Sequence, residues 1–297
     1  MSVTRAASPA VTRRSGQKRR PGLFGPGMVV GYVVVGLYAV TLLFPLYWVV
    51  ISAFKDKFDV FRTPLTPTFS AGLANFDFVW TYLEAGKALL NSLYITAASL
   101  ALTLVVALPA SYGLARARGR IGGIVEKVYA LGFLIPGFAA LVPTLLLAIA
   151  VNMYHTREFI ILYLSATAQP LCVILLTQFM RTVPSELEES AVIDGASRWQ
   201  IFSRVYVPLV MPGIATVAIL QFISYWNEYL YTLVIAGAQP ARRTIQVALP
   251  TIVSGTGNTN YAQVCAGTVI SIIPVFVMYI ILNRRMEDAL IQGALKG

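Results

Sequence analysis

Residues 189–208 read ESAVIDGASRWQIFSRVYVP, a polar, helix-compatible stretch held between two long apolar runs, 159–180 and 209–236. A connector that only had to join those runs would need no order of its own, yet its residue types specify order at each step. Pro184 suits a helix start, Ser185 is placed to cap it, and Glu186 and Glu188 sit where a first helical turn favours negative charge. Gly195 permits the backbone reversal that ends that helix. Beyond it, Trp199, Ile201, Phe202 and Val205 recur near a 3.6-residue spacing, which predicts a second helix with one apolar face. The first helix is then left to project, with Glu189 flanked by the small Ser190 and Ala191.

The surroundings of this stretch decide the fold class. The chain is 57% hydrophobic and 12% charged, where soluble domains carry roughly 25% charged residues. Six apolar runs reach the roughly 20 residues that a bilayer core demands of a helix: about 29–54, 89–115, 128–151, 159–180, 209–236 and 261–282. Pro45, Pro109, Pro136, Pro143, Pro170 and Pro274 lie inside them. Proline in so many runs argues against soluble core helices and is tolerated where neighbouring helices satisfy the freed carbonyls. The expectation is an all-α, polytopic membrane protein. Residues 1–27 form a basic tail, 28–283 the six-span domain with a connecting loop at 181–208, and 284–297 a second tail.

Lys and Arg concentrate on the cytoplasmic side of membrane proteins. With the N-terminus inside, 16 of the 23 fall in inner segments and 7 in outer ones, so both termini and the Glu189 loop are expected in the cytoplasm. The net charge of +10 does not imply nucleic acid, because the cations flank apolar runs and form no stripe on one soluble face. Cys172 and Cys265 lie within apolar runs and read as small packing residues; His155, the single histidine, reads as solvated surface. The chain has no G-x-x-x-x-G-K-[ST], H-E-x-x-H or G-x-S-x-G signature, so neither P-loop nucleotide binding nor those hydrolytic chemistries is available to it.

The Glu189-Ser190-Ala191 triplet, Gly195, Val205, Val207 and Pro208 resemble the cytoplasmic coupling loop of ATP-binding-cassette import permeases. The family pattern is Glu-Ala-Ala, three residues, Gly, nine residues, Ile, one residue, Leu-Pro. This chain keeps the spacing, with Ser190 for the first Ala, Val205 for Ile and Val207 for Leu. Asn91-Ser92, residues 110–118, Trp226-Asn227-Glu228, Arg243-Thr244-Ile245 and the ending Gly293-Ala294-Leu295-Lys296-Gly297 extend the resemblance to the smaller permease subunit of maltose-type carbohydrate importers. The resemblance implies a type I importer permease fold in the cell membrane and no enzymatic activity in this chain. It implies a second permease subunit, two ATPase subunits holding ATP and Mg, and an extracytoplasmic binding protein that delivers a sugar or oligosaccharide. Contact with the ATPase is then expected from Glu188, Glu189, Ser190, Ala191, Asp194, Gly195 and Pro208.

For the solute route the fifth run offers a polar and aromatic cluster, Gln221, Tyr225, Asn227, Glu228 and Tyr229. Glu228 lies 14 residues beyond Ile214, about 21 Å along a continuous helix, and ionisable groups within a span usually face a cavity or a partner. For Asn227 and Glu228 a role in holding the span against its neighbours stays equally open. Also open are another polar solute, such as a glycerol-phosphate compound, and an ion-coupled secondary transporter, although the latter usually draws on several buried ionisable groups. Residues 55–88 carry seven aromatic residues among Pro64, Pro67 and Gly72 and read as an outer interfacial belt, a dock for the delivering protein, or both.

Overall fold

The computed structural model describes residues 26–117, 119–255 and 259–294, with side chains described for 28–117, 119–253 and 259–281. Most of the expected basic tail, and the last three residues of the second, lie outside them. Helices, and no strand, make up the secondary structure among the described residues. The chain divides at Tyr47 into two units. Of the first, the described part belongs to α1 (Pro26–Ser52), whose apolar residues surround the helix instead of forming a stripe, the pattern of a helix in hydrocarbon.

In the second unit, α2 (Asp59–Arg62) and α3 (Ala74–Tyr82) occupy the segment expected to lie outside. They precede α4 (Ala85–Arg116), α5 (Arg120–Leu131), α6 (Leu141–Ala150), α7 (Arg157–Arg181), α8 (Ser185–Ile193), α9 (Arg198–Ile201) and α10 (Val207–Leu209). Then come α11 (Met211–Trp226), α12 (Ile245–Ala248), α13 (Thr251–Gly255) and α14 (Tyr261–Ala294). Among the described residues four helices are long and apolar enough to cross a bilayer, or six if each of two bent pairs is one span.

The bends occur where the sequence removes backbone donors. Residues 120–134 and 137–150 meet at 86°. Ile135 has ψ 108°, outside the helical region as expected of a residue before proline, and Pro136 follows with ψ 116°. Residues 198–209 and 211–226 meet at 73°. There Pro212 opens α11, where its missing N–H costs nothing. The runs expected at 128–151 and 209–236 are therefore not single straight helices. The fifth stops at Asn227 and resumes as a π-helical turn at Thr232–Ala236. The last helix outruns the apolar run drawn for it: its backbone continues through Ala294.

The body is built on α4 against α7. On α4 the buried residues Ser92, Thr96, Ser99, Thr103, Ala107, Ser111 and Leu114 fall three or four apart along one stripe, and Ile161, Ser165, Ala168, Cys172, Leu176 and Met180 do the same on α7. Small side chains let the backbones approach, which is the main source of helix association in lipid. Ser165 Oγ donates to the Ser99 carbonyl at 3.0 Å and Ser111 Oγ to the Val173 carbonyl at 3.2 Å. Such bonds are worth about 0.6 kcal/mol each in a bilayer. Cys172 is a free, fully buried packing residue in this interface, and Cys265 is free and buried in a second cluster with Val79, Phe222, Trp226 and Ile252.

The segment that follows α1 is held by a buried lysine. Lys55, fully buried by its surroundings, donates from Nζ to the carbonyls of Thr63 at 2.6 Å and Pro64 at 3.2 Å. Burial pushes its pKa below the ordinary lysine value, against the raising effect of Asp59. Asn75 donates to the carbonyls of Ala53 and Lys55 at 2.9 and 2.8 Å, closing the segment onto the end of α1.

Candidate functional site

The stretch that decided the fold is a helix, a turn and a second helix, with the turn chemistry visible in full. α8 ends with the Gly195 N–H bonded to the Val192 carbonyl at 3.0 Å and the Ala196 N–H bonded to the Ala191 carbonyl at 2.9 Å. This is the paired bonding of a Schellman motif. Gly195 has φ +79°, a left-handed conformation that glycine adopts without penalty. Ala191 and Ala196, the two residues brought together by the motif, both pack against the core. Ser197 then starts α9 with a capping box: its side chain accepts from the Gln200 N–H and the Gln200 side chain accepts from the Ser197 N–H. The α8 start differs from expectation. Ser185 is inside the helix, Pro184 holds the cap position, and no side chain caps it.

The second helix is not a uniform α-helix either. After Ile201 it widens into a π turn at Phe202–Tyr206, and the added residue per turn rotates the following side chains. Ile201, Phe202 and Tyr206 are buried, whereas Trp199 is 68% exposed and touches the face only through the Phe202 ring, centroids 5.2 Å apart. Trp199 thus leaves the apolar face that a constant 3.6-residue period assigned to it, and Tyr206 joins it.

The two adjacent carboxylates of α8 point to different surroundings. Glu188 turns inward: its Oε2 lies 2.8 Å from Arg116 Nε as an ion pair and accepts from the Tyr206 hydroxyl at 2.9 Å. Glu189 is exposed, as are Ser190, Asp194, Gly195 and Pro208, while Ala191 is half-buried. Beside α8 a recess of about 960 Å³ opens between the end of α4 and the starts of α8 and α9, with Arg116, Glu188, Glu189, Ile193 and Arg198 in its wall. An exposed carboxylate on a helix with small neighbours, next to an open recess, is suited to insertion into a basic cleft.

Of the five residues singled out in the fifth run, the structure separates two sets. Gln221 and Tyr225 are buried, and the Tyr225 hydroxyl shares a 2.7 Å hydrogen bond with Thr103 Oγ1 of α4. Glu228 accepts from the Tyr231 N–H at 2.8 Å, so its carboxylate caps the helical turn that follows. Asn227 and Tyr229 are exposed. Asn227 Oδ1 accepts from Gln246 Nε2 at 3.2 Å, and Gln246 also reaches Ser271 Oγ at 3.4 Å. Because α11 ends at Trp226, Asn227 and Glu228 lie at its end and not within a continuous helix.

Arg116 and Tyr206 were not legible as site residues. An arginine at the end of an apolar run reads as a cytoplasmic flank, and nothing in sequence ties it to a carboxylate 72 positions on. The 116–188 contact exists because α4 and α7 end side by side, where Arg116 Nη2 also donates to the Val183 carbonyl at 3.2 Å.

Residues 107–288 match the family described as binding-protein-dependent transport system inner membrane component. The chain is similar to the diacetylchitobiose uptake system permease protein DasC of Streptomyces coelicolor, 30% identical over 91% of this chain and 98% of that protein. It is also similar to the sulfoquinovosyl glycerol transport system permease protein SmoH of Agrobacterium fabrum, 29% identical over 93% and 98%. The arabinooligosaccharides transport system permease protein AraQ of Halalkalibacterium halodurans is 27% identical over 91% and 96%. In fold it resembles a chain of a bacterial ABC transporter involved in the import of the acidic polysaccharide alginate, with a TM-score of 0.76, 22% identity, and 88% of this chain and 98% of that one covered.

Proposed function

Because the chain belongs to the family of binding-protein-dependent transport system inner membrane components, a family of transport subunits and not of enzymes, we propose that it is one of two permease subunits of an ATP-driven importer for an oligosaccharide. The observation that carries this reading is the exposed Glu189 on α8, a projecting helix whose direction is set by the left-handed turn at Gly195. A permease without a phosphate-binding loop has to receive the work of ATP hydrolysis mechanically, and a rigid helix held by a capped neighbour is a fitting receiver.

In this reading ATP and Mg reside in two ATPase subunits that meet α8 from the cytoplasm, with Glu189 paired to a basic group there. Both termini are cytoplasmic, in line with the Lys and Arg distribution. An extracytoplasmic binding protein supplies the solute, and residues 55–88 form its landing surface. Saccharides are favoured as solutes by the relatives named for diacetylchitobiose and arabinooligosaccharides. Along the route we assign Asn227 and Tyr229 to the solute and Gln221, Tyr225 and Glu228 to holding the helix. An amide exposed at the end of a span faces an aqueous path or the partner permease in preference to lipid.

The test is reconstitution of this chain with its partner permease, ATPase subunits and binding protein in proteoliposomes, scanning oligosaccharides for stimulation of ATP hydrolysis. Stimulation and uptake of at least one saccharide is the expected result; ATP hydrolysis by this polypeptide alone would sink the assignment. Asn227→Ala is expected to lower uptake in an intact complex, and Glu228→Ala to loosen the complex itself.

A further inference from the structure

Resting on the transport reading above, we propose that Arg116 is the pin by which α8 grips the second of the six spans, carrying movement of α8 into α4 and its packing partner α7. Its positioning role is exercised through Glu188.

The observation behind this is how little else fixes α8. None of its residues is buried; Leu187, Val192 and Ile193 are 44%, 58% and 85% exposed, and Ala191 is its single residue packed on the core cluster. Its covalent tether to α7 is the short stretch 182–184, ending in Pro184 with an extended ψ of 138°, a joint about which a helix can swing. Beyond the Gly195 turn that ties its far end to α9, movement of α8 reaches α4 through whatever crosses that joint. Arg116 does so. Its guanidinium pairs with Glu188 of α8 at 2.8 Å, donates to the Val183 carbonyl within the joint at 3.2 Å, and lies over the Tyr206 ring with 4.8 Å to its centroid.

Tyr206 completes the arrangement from the far side of the loop. It is fully buried, donates to the same Glu188 oxygen at 2.9 Å, and rests edge-on against Tyr112 of α4, centroids 4.8 Å apart. Glu188 is therefore held from α4 and from the turn leading into α11. A planar guanidinium can serve a carboxylate, a carbonyl and an aromatic face together, which an ammonium cannot. An arginine at the last turn of a helix is also favoured by the helix dipole alone. On that account Glu188 would be dispensable, and the two readings separate by experiment.

Arg116→Met, Glu188→Gln and the double variant would be compared in the reconstituted complex, measuring complex yield, basal ATP hydrolysis and solute taken up per ATP hydrolysed. Arg116→Met is expected to assemble and hydrolyse ATP at the wild-type level but to lose about tenfold in uptake per ATP, within the ordinary range for coupling between sites, and Glu188→Gln to lose uptake per ATP to the same extent. The double variant should lose no more than either single one, because both remove the same link. Arg116→Lys should recover part of the loss. Wild-type uptake per ATP in either single variant, or additive losses in the double, would overturn the pin. Dissociation of the Arg116→Met complex would do so too, by making the contact mere structural glue. A wild-type complex that shows no solute-stimulated hydrolysis overturns the transport reading itself, an outcome distinct from any confined to the variants.

Discussion

Replacing Gly195 by valine isolates the turn that aims α8. The ideal Cβ of residue 195 would meet no atom within 4 Å, so a side chain has open space there and the cost to weigh is the backbone at φ +79°. For an L-residue the left-handed region costs about 1–2 kcal/mol, more toward the upper end for a β-branched side chain. A strain of that size corresponds to about a 5- to 30-fold change in an equilibrium, here between the turn that seats α8 and turns that release it. The Schellman bonds to Val192 and Ala191 are lost with the seated form, while the α4–α7 interface is untouched. Uptake and solute-stimulated ATP hydrolysis in proteoliposomes should therefore fall together, by at most about 5- to 30-fold, with the melting temperature of the purified complex little changed. Gly195→Asn is the control, since asparagine tolerates the left-handed region and should stay near wild type. Wild-type uptake by the valine variant, or an asparagine variant as impaired as valine, would refute the reasoning.

Further expectations concern packing, charge and topology. A Cβ on Gly213 would lie 2.3 Å from the Phe179 ring, so Gly213→Ala should destabilise by about 1–3 kcal/mol through overpacking; an unchanged melting temperature would mean that α11 and α7 are not in such close contact. Lys55→Met removes both donors to Thr63 and Pro64 and should cost about 1–3 kcal/mol, read as faster cleavage of residues 56–73 by protease added outside. Since burial lowers the Lys55 pKa, the folded chain binds fewer protons than the unfolded one below the ordinary lysine value, so its contribution to stability rises with pH through that window; measured protection that falls over the same window would contradict it. Cysteines placed at Gly72 and Ala196 should differ in reach, the first labelled by an impermeant reagent from outside and the second not. Labelling of Ala196→Cys in sealed cells would reverse the orientation.

Much of the fold was legible because its information is local or compositional. Runs of apolar residues set by bilayer thickness and the Glu189 to Pro208 spacing depend on no partner far along the chain, and Gly195 could be read as a turn from its position alone. The failures have local causes as well as distant ones. A constant period places Trp199 on the buried face, where the structure leaves it exposed in the first turn of α9 and buries Tyr206, four residues beyond Phe202, instead. The apolar runs 128–151 and 209–236 pass straight through Pro136 and Pro212, although the chain bends by 86° and 73° beside these residues, since composition registers how apolar a segment is and not its direction.

By itself, then, the sequence determined that this chain crosses a membrane as helices, and that residues 185–208 form a helix, a glycine turn and a second helix. Hydrophobic length, turn residues and caps act over a few positions, so reading them requires no knowledge of what lies opposite. Only the tertiary structure decided which of two neighbouring carboxylates faces the protein. Glu188 and Glu189 are chemically alike and adjacent, and adjacent residues on a helix point about 100° apart. Which one turns inward is set by where Arg116 and Tyr206 stand. Those positions follow from the close packing of α4 on α7 and from the π turn ahead of α11, which no single segment of the chain encodes.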